Sequence, residues 1–389
     1  MNMVIGIDGT NIRNGGGRTH LIELLQAARP MEHGIDRIIV WAAHDTLDLI
    51  TDRDWLIKRN PPALNAGLVR RTLWQRYCLS RKARTENCDV LFVPGGSYVG
   101  DFHPIVTMSR NMLPFEWPEL RRYGWTLMTL KLLLLRRIQG RSFHCADGVV
   151  FLTGYARDAV QQVTGILRGS VKVIPHGLNS RFSHPPRAQR DISAYATDRP
   201  LRILYVSIVD QYKHQWVVVE AVGRLRARTH WPLALDLVGP SYPPALARLH
   251  RALDRWDPDR RWVSYQGAVP YGQLHGMYQL ADVGLFASSC ENMPNILLET
   301  MVAGLPVACS ERGPMPEVLG NAGVYFDPLT PASIEQALER LVGSPELRED
   351  LARASHNRAQ AFCWERCAEQ TFGFLAQVAS GIADSQSRR

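Results

Sequence analysis

The chain runs to 389 residues, 46% apolar and 21% charged, a balance suited to two globular domains and unlike that of a disordered or fibrous polymer. A formal net charge of +8 points to anionic partners such as nucleoside diphosphates or an anionic membrane surface. Nucleic acid is set aside, since neither a zinc-finger spacing nor an aromatic RNA-binding signature is present, and no stretch reaches the ~20 apolar residues of a membrane span.

Seven cysteines, odd in number and scattered, fit a reducing setting. Cys363 and Cys367 stand one helical turn apart with no second pair near in sequence, so a zinc site is not expected. The opening residues lead directly into an apolar run without the layout of a signal peptide, and a cytoplasmic location is expected.

In chain order, residues 4–8 read as a strand and 11–18 as a loop holding Gly15, Gly16 and Gly17, with Thr19 capping the helix that follows. Strand, glycine loop and helix N-terminus can admit a phosphate, or the glycines can serve the turn alone. The run matches neither a dinucleotide fingerprint nor a P-loop. Further strands are expected over 38–42, 90–93, 105–108, 149–153 and 171–174. Segment 125–141 places Leu127, Met128, Leu130, Leu132, Leu134, Leu135 and Ile138 on a broad arc broken by Lys131, flanked by Arg121, Arg122 and Arg141. It is either a helix of the domain core with solvated arginines or a peripheral contact for anionic lipid.

Residues 183–200 are polar, proline-bearing and aperiodic, as in a linker. Beyond it come a strand at 202–207, a loop carrying Lys213, a helix over 216–225, strands at 235–239 and 263–267, and a short helix over 271–278. A last strand at 323–327 and two helices close the domain, and the tail after Ala379 is polar and expected to fray. Asp52-x-Asp54 and Asp257-x-Asp259 sit in polar, arginine-rich turns and read as solvated surface acids. Alternating strands and helices in two halves indicate an α/β protein of two doubly wound, Rossmann-like domains facing a cleft. Their expected extents are 1–182 and 201–358, with a helix at about 359–378 returning to the first.

The chain is organised around residues 286–307. An apolar run over 283–287 reads as a buried parallel strand. After a polar corner, Pro294 is expected at the first helical position, with Ile296, Leu297, Thr300 and Met301 at helical spacing and Gly304 and Pro306 as the stop. A strand, a tight turn and a helix N-terminus at a sheet's carboxyl edge suit an anionic ligand. Glu291 and Glu299, eight positions apart, can both reach that edge, where carboxylates accept from sugar or ribose hydroxyls.

Glu291 to Glu299, followed by Thr300-Met-Val-Ala-Gly-Leu-Pro-Val307, resembles the Glu-x7-Glu signature of retaining family-4 glycosyltransferases of the GT-B fold, the group-1 type. The resemblance implies that Glu299 binds the nucleotide ribose and Glu291 the donor sugar, and that the turn Asn292-Met293-Pro294-Asn295 holds the sugar or its phosphate through its backbone N–H groups, those of Asn292, Met293 and Asn295. It implies that Lys213 grips the diphosphate, that Gly16 and Gly17 lie near donor and acceptor, and that no metal or other cofactor is bound. Ile208 stands where relatives often carry a second phosphate-binding arginine. Arg110 and Asn111 fall where relatives often carry histidine and aspartate, at the donor–acceptor cleft. The expected activity is sugar transfer from a nucleoside-diphosphate sugar to a glycan or lipid-linked acceptor in surface polysaccharide assembly. A sugar-nucleotide epimerase of the same fold and a non-catalytic sugar-nucleotide-binding scaffold are the alternatives.

Overall fold

Short runs of three to seven residues, most of them apolar and β-branched, build two parallel sheets. A computed structural model of the chain describes residues 3–13 and 15–381. Asn14, inside the expected glycine loop, and residues 382–389 of the expected frayed tail lie outside the described residues. Strands β1 (Met3–Asp8), β2 (Ile35–Trp41), β3 (Leu56–Arg59), β4 (Val90–Val93), β5 (Ile105–Met108), β6 (Gly148–Phe151) and β7 (Ser170–Val173) pair in the order β3-β2-β1-β4-β5-β6-β7. Strands β8 (Leu201–Val206), β9 (Leu233–Val238), β10 (Val263–Tyr265), β11 (Val283–Phe286), β12 (Val307–Ser310) and β13 (Val324–Phe326) pair in the order β10-β9-β8-β11-β12-β13. Central strands such as β4 and β11 are buried along their whole length, as parallel strands covered by helices on both faces must be.

The chain divides into two units. The first holds the residues up to Leu120, Trp125–Gly177 and those from Phe362 on, so helix Trp364–Ala379 belongs with β1–β7. The second holds Arg121–Gly124 and Leu178–Ala361. Residues 183–200 therefore lie in the second unit, where Arg348, wholly buried, holds them. Its guanidinium donates to the Gln189 side-chain oxygen at 3.2 Å, to the Leu341 carbonyl at 3.0 Å, and to the Val342 and Arg190 carbonyls.

In each sheet the strand order reverses beside the first strand, between β1 and β4 and between β8 and β11. Loops leaving the carboxyl ends of such a pair diverge and leave a crevice for a ligand. In the second unit the loops that meet there follow Val206 and Phe286. Gly284 lets helix Asn295–Val302 close down on β11, because a Cβ there would come within 2.0 Å of Thr300 Cγ2.

Several expectations are corrected. Gly15, Gly16 and Gly17 are the first turn of helix Gly15–Gln26 rather than a loop before it, and Thr19 lies inside that helix and does not cap it. The buried His20, Leu21, Leu24 and Leu25 carry the packing that extends the helix back through the glycines. Pro294 occupies the N-cap rather than the first helical position, with ψ at 77°. Asp257 is not a solvated surface acid: it is buried and accepts from the backbone N–H groups of Arg261 (2.9 Å), Trp262 (3.0 Å) and Val263 (2.8 Å). Strands β3 and β12 and helix Pro243–Trp256 were not expected.

Segment 125–141 enters helix Leu127–Cys145, whose buried stripe is narrower than its apolar arc. Leu132, Gln139, Ser142 and Phe143 are buried, while Leu127, Leu130 and Leu134 are exposed together with Trp125 before the helix. No helix among the described residues is long and apolar enough to cross a membrane. No group of three or more histidine, cysteine or acidic side chains among them is placed to hold a metal ion.

Candidate active site

The crevice between β8 and β11 is stitched by hydrogen bonds before any functional side chain is considered. Tyr205 on β8 donates its hydroxyl to the Lys213 carbonyl at 2.8 Å, and the Lys213 N–H donates to the Asp210 carbonyl at 3.0 Å. From the other loop, the Ser289 N–H donates to the Tyr212 carbonyl at 2.9 Å, and Ser289 Oγ lies 2.8 Å from His214 Nε2. Burial, with Arg122 and Arg248 adding to it, holds the His214 imidazole down at about 3. The ring is therefore neutral and pairs with Ser289 as an uncharged hydrogen-bonding group. His214 has φ at 55°, a left-handed corner that turns the chain into helix Gln215–Thr229. Tyr123 Oη donates to Asp210 Oδ1 at 2.8 Å and braces the same loop.

These bonds present Lys213 to the crevice. Its ammonium pairs with Glu291 Oε1 and lies 4.9 Å from the Tyr212 ring centre and 5.4 Å from that of Phe286. Lys213 is buried and Glu291 half-buried, so this is a partly desolvated ion pair resting on aromatic faces. Two residues 78 positions apart, each singled out in the sequence, thus meet directly. Their contact requires that β8 and β11 be neighbours, which non-consecutive strands do not announce.

Glu299 has different partners. It is buried on helix Asn295–Val302, where Oε1 accepts from the Tyr271 hydroxyl at 3.3 Å and Oε2 from the Tyr278 hydroxyl at 3.1 Å. Burial pushes its carboxyl up to about 7, against the two tyrosine hydrogen bonds and the Arg181 guanidinium, which favour the charged form. Arg181 stacks over Tyr271 at 5.3 Å, and Phe182 packs edge-on against both tyrosines. Around the turn, Asn292, Met293 and Pro294 are buried, and the half-buried Asn295 has a side-chain oxygen with no hydrogen-bond partner among the described residues. The first N–H groups of the helix lack intrahelical acceptors, as at any helix start.

The remaining candidates belong to the first unit. Gly16 and Gly17 open helix Gly15–Gln26, and Arg110 Nη1 donates to the Gly17 carbonyl at 3.3 Å. Burial pulls the Arg110 guanidinium down to about 10. Asn111 is engaged in its own turn, its Oδ1 accepting from the Leu113 N–H at 3.1 Å. Behind Arg110 lies a feature the sequence reading missed. His20 Nδ1 and His176 Nδ1 are 2.7 Å apart, both rings are buried, and Trp364 packs edge-on to each. Burial, with Arg110 beside them, holds both imidazoles well below their ordinary value. The sequence reading also missed Tyr271, Tyr278 and Arg181 as partners of Glu299. The available signal was two tyrosines seven positions apart on one short helix, a spacing that also describes ordinary packing.

Residues 14–182 match the model described as Glycosyltransferase Family 4, and residues 200–344 that of glycosyl transferases group 1. The two stretches together take in most of the chain, which belongs to the group-1, family-4 glycosyltransferases. Among curated relatives, the chain is 33% identical to O-antigen chain mannosyltransferase B of Escherichia coli over 110 residues, 28% of this chain and 29% of that protein. The chain spans about half or less of the length of the curated relatives it matches. Among solved structures it is similar to sucrose-phosphate synthase from Thermosynechococcus elongatus, with a TM-score of 0.72 at 17% identity, over 98% of this chain and 100% of that one. It is also similar to Anabaena HepE in complex with UDP and glucose, with a TM-score of 0.68 at 16% identity, over 97% of this chain and 100% of that one. These likenesses show the fold, that of GT-B glycosyltransferases.

Proposed function

We propose that the protein is a retaining glycosyltransferase that moves a sugar from a nucleoside-diphosphate sugar to a saccharide or lipid-linked acceptor in surface polysaccharide assembly. The observation that carries this reading is the Lys213–Glu291 pair at the strand-order reversal of the second unit, beside the start of helix Asn295–Val302. A cation and a helix N-terminus side by side suit a diphosphate, and a carboxylate next to them suits sugar hydroxyls.

In this reading, residues 201–358 form the donor side and 1–182 the acceptor side. The bond between the anomeric carbon and the phosphate oxygen breaks, and negative charge builds on the departing diphosphate. Lys213 and the helix N–H groups are placed to stabilise that charge, a kind of stabilisation that commonly contributes most to catalysis. The acceptor oxygen attacks on the same face and passes its proton to the leaving phosphate, so no side-chain base is assigned. Glu299 holds the ribose and Glu291 the sugar, with Arg110, Gly16 and Gly17 on the acceptor side. Helix Leu127–Cys145 would rest peripherally on an anionic membrane, where its exposed leucines and basic residues suit the headgroup region.

The HepE relative was solved with UDP and glucose, and the E. coli relative is a mannosyltransferase of O-antigen chains, so UDP-sugars and mannose-bearing sugar nucleotides are the first donors to try. Thermal shifts over a sugar-nucleotide set identify the donor, since a ligand of the folded state raises the melting temperature with saturation. Proton NMR of the product then tests the stereochemistry. Retention of the donor's anomeric configuration is expected, and an inverted product would overturn the mechanism.

A further inference from the structure

We propose that the helical segment at residues 68–85 is a second contact with an anionic lipid surface, beside helix Leu127–Cys145. The proposal rests on the membrane part of the function above and extends it to residues not assigned there. Helix Leu68–Trp74, the wider turn Gln75–Leu79 and helix Ser80–Thr85 follow one another directly. One side is anchored, with Trp74, Gln75, Leu79 and Ala83 buried. Gln75 donates to the Ser97 carbonyl at 3.1 Å and to Asp8.

The other side is apolar and open. Leu68 is 63% exposed, Val69 72%, Leu73 51% and Tyr77 70%. Val69, Leu73 and Tyr77 recur every four residues and form one stripe. Packing inside the unit does not account for a stripe that faces away from it, and clustered exposed apolar side chains of this kind mark an interaction surface.

Charge selects the occupant. Arg70, Arg71, Arg76, Arg81, Lys82 and Arg84 fall within residues 66–85, and no acidic residue does. Arg84 pairs with Asp101 at 3.4 Å, and Arg71 and Arg76 donate to the Thr10 and Val99 carbonyls. Arg70, Arg81 and Lys82 are exposed beside the stripe. Apolar side chains interleaved with unopposed cations fit a surface of anionic headgroups over acyl chains. They fit a protein partner less well, since buried charges there would need matched acids.

Placement supports a shared surface. Tyr98 joins the two helical segments of the first unit, its hydroxyl lying 3.2 Å from Ser80 Oγ and its N–H donating to Ser142 Oγ at 2.9 Å. Residues 120–145 likewise contain six basic residues and no acidic one. Two acid-free, leucine-bearing segments therefore border the same loop.

Co-sedimentation of the full chain with phosphatidylglycerol vesicles, against phosphatidylcholine vesicles and at low and high salt, tests the proposal. Two triple variants alter the new segment: Val69→Ser/Leu73→Ser/Tyr77→Ser and Arg70→Gln/Arg81→Gln/Lys82→Gln. A third, Leu127→Ser/Leu130→Ser/Leu134→Ser, alters the other helix. Melting temperatures and the shift caused by the donor nucleotide, both expected to match wild type, certify folding. Wild type is expected to bind phosphatidylglycerol selectively, and either 68–85 variant to partition at least roughly tenfold less, each cation contributing about fivefold.

Unchanged binding by both 68–85 variants overturns the proposal, and equal binding to both lipids overturns its charge argument. Loss confined to the 68–85 variants removes the role of helix Leu127–Cys145 and upholds this one; loss confined to the other variant does the reverse. If wild type is a dimer that the apolar 68–85 variant converts to a monomer without change in vesicle binding, the stripe is an interface between copies of the chain and the proposal fails.

Discussion

Replacing Glu299 with glutamine should stabilise the ligand-free protein in alkali while weakening its hold on the donor nucleotide. Burial raises the Glu299 carboxyl from 4.5 to about 7, so the folded state binds its proton more tightly than the unfolded chain does. Stability from this group is therefore complete below pH 4.5 and is lost as the pH rises through about 7. The distance from 4.5 to about 7, at ~1.4 kcal/mol per pH unit, amounts to about 3 kcal/mol. Glutamine keeps an oxygen acceptor for Tyr271 or Tyr278 and carries no charge at any pH. Glu299→Gln should then raise resistance to urea by most of that amount at pH 8 and by less than ~1 kcal/mol at pH 5. In the same protein, calorimetry should show nucleoside diphosphate affinity falling by ~1.5–3 kcal/mol, since the charged acceptor proposed for the ribose is gone. The same stability difference at both pH values, or a variant less stable at pH 8, would refute the burial argument. Unchanged diphosphate affinity would separately refute the ribose role.

Glu291→Gln should depress turnover without lowering affinity for the free diphosphate, because it removes the proposed sugar contact and releases Lys213 from its partner; equal loss of diphosphate binding in both glutamate variants would show the division of roles to be wrong. Asp257→Ala leaves three backbone N–H groups, that of Val263 buried, without their acceptor and should cost on the order of 3 kcal/mol, read from urea midpoints. Gly177→Ala drives a methyl group to within 2.3 Å of the Trp364 backbone nitrogen, so it should lower the melting temperature of the first unit and loosen helix Trp364–Ala379 in hydrogen exchange.

The fold was legible where apolar runs were long enough to be read and bounded by turn residues. The runs at 90–93 and 105–108 coincide with β4 and β5, whereas β3, three half-buried residues and one exposed residue at a sheet edge, carries too little pattern to separate from a loop. At the site, Lys213 and Glu291 could be named one at a time, but their pairing depends on which strands become neighbours. The same holds more strongly for His20 and His176, 156 positions apart, and for the tyrosines around Glu299. Asp257 was misread because an aspartate between arginines looks solvated until the backbone N–H groups that surround it are seen. The glycine run was misread because glycine is a poor helix former, yet the four buried residues behind it outweigh that preference.

The most direct test is release of nucleoside diphosphate by wild type, Lys213→Met and Glu291→Gln, with the donor found by thermal shift and with acceptor present or withheld. Acceptor-dependent release by wild type is expected, with loss of at least about a hundredfold in Lys213→Met, in keeping with removal of one charge-stabilising donor from a desolvated site. Release that does not depend on acceptor, or a Lys213→Met protein as fast as wild type, would contradict sugar transfer driven from the Lys213–Glu291 pair.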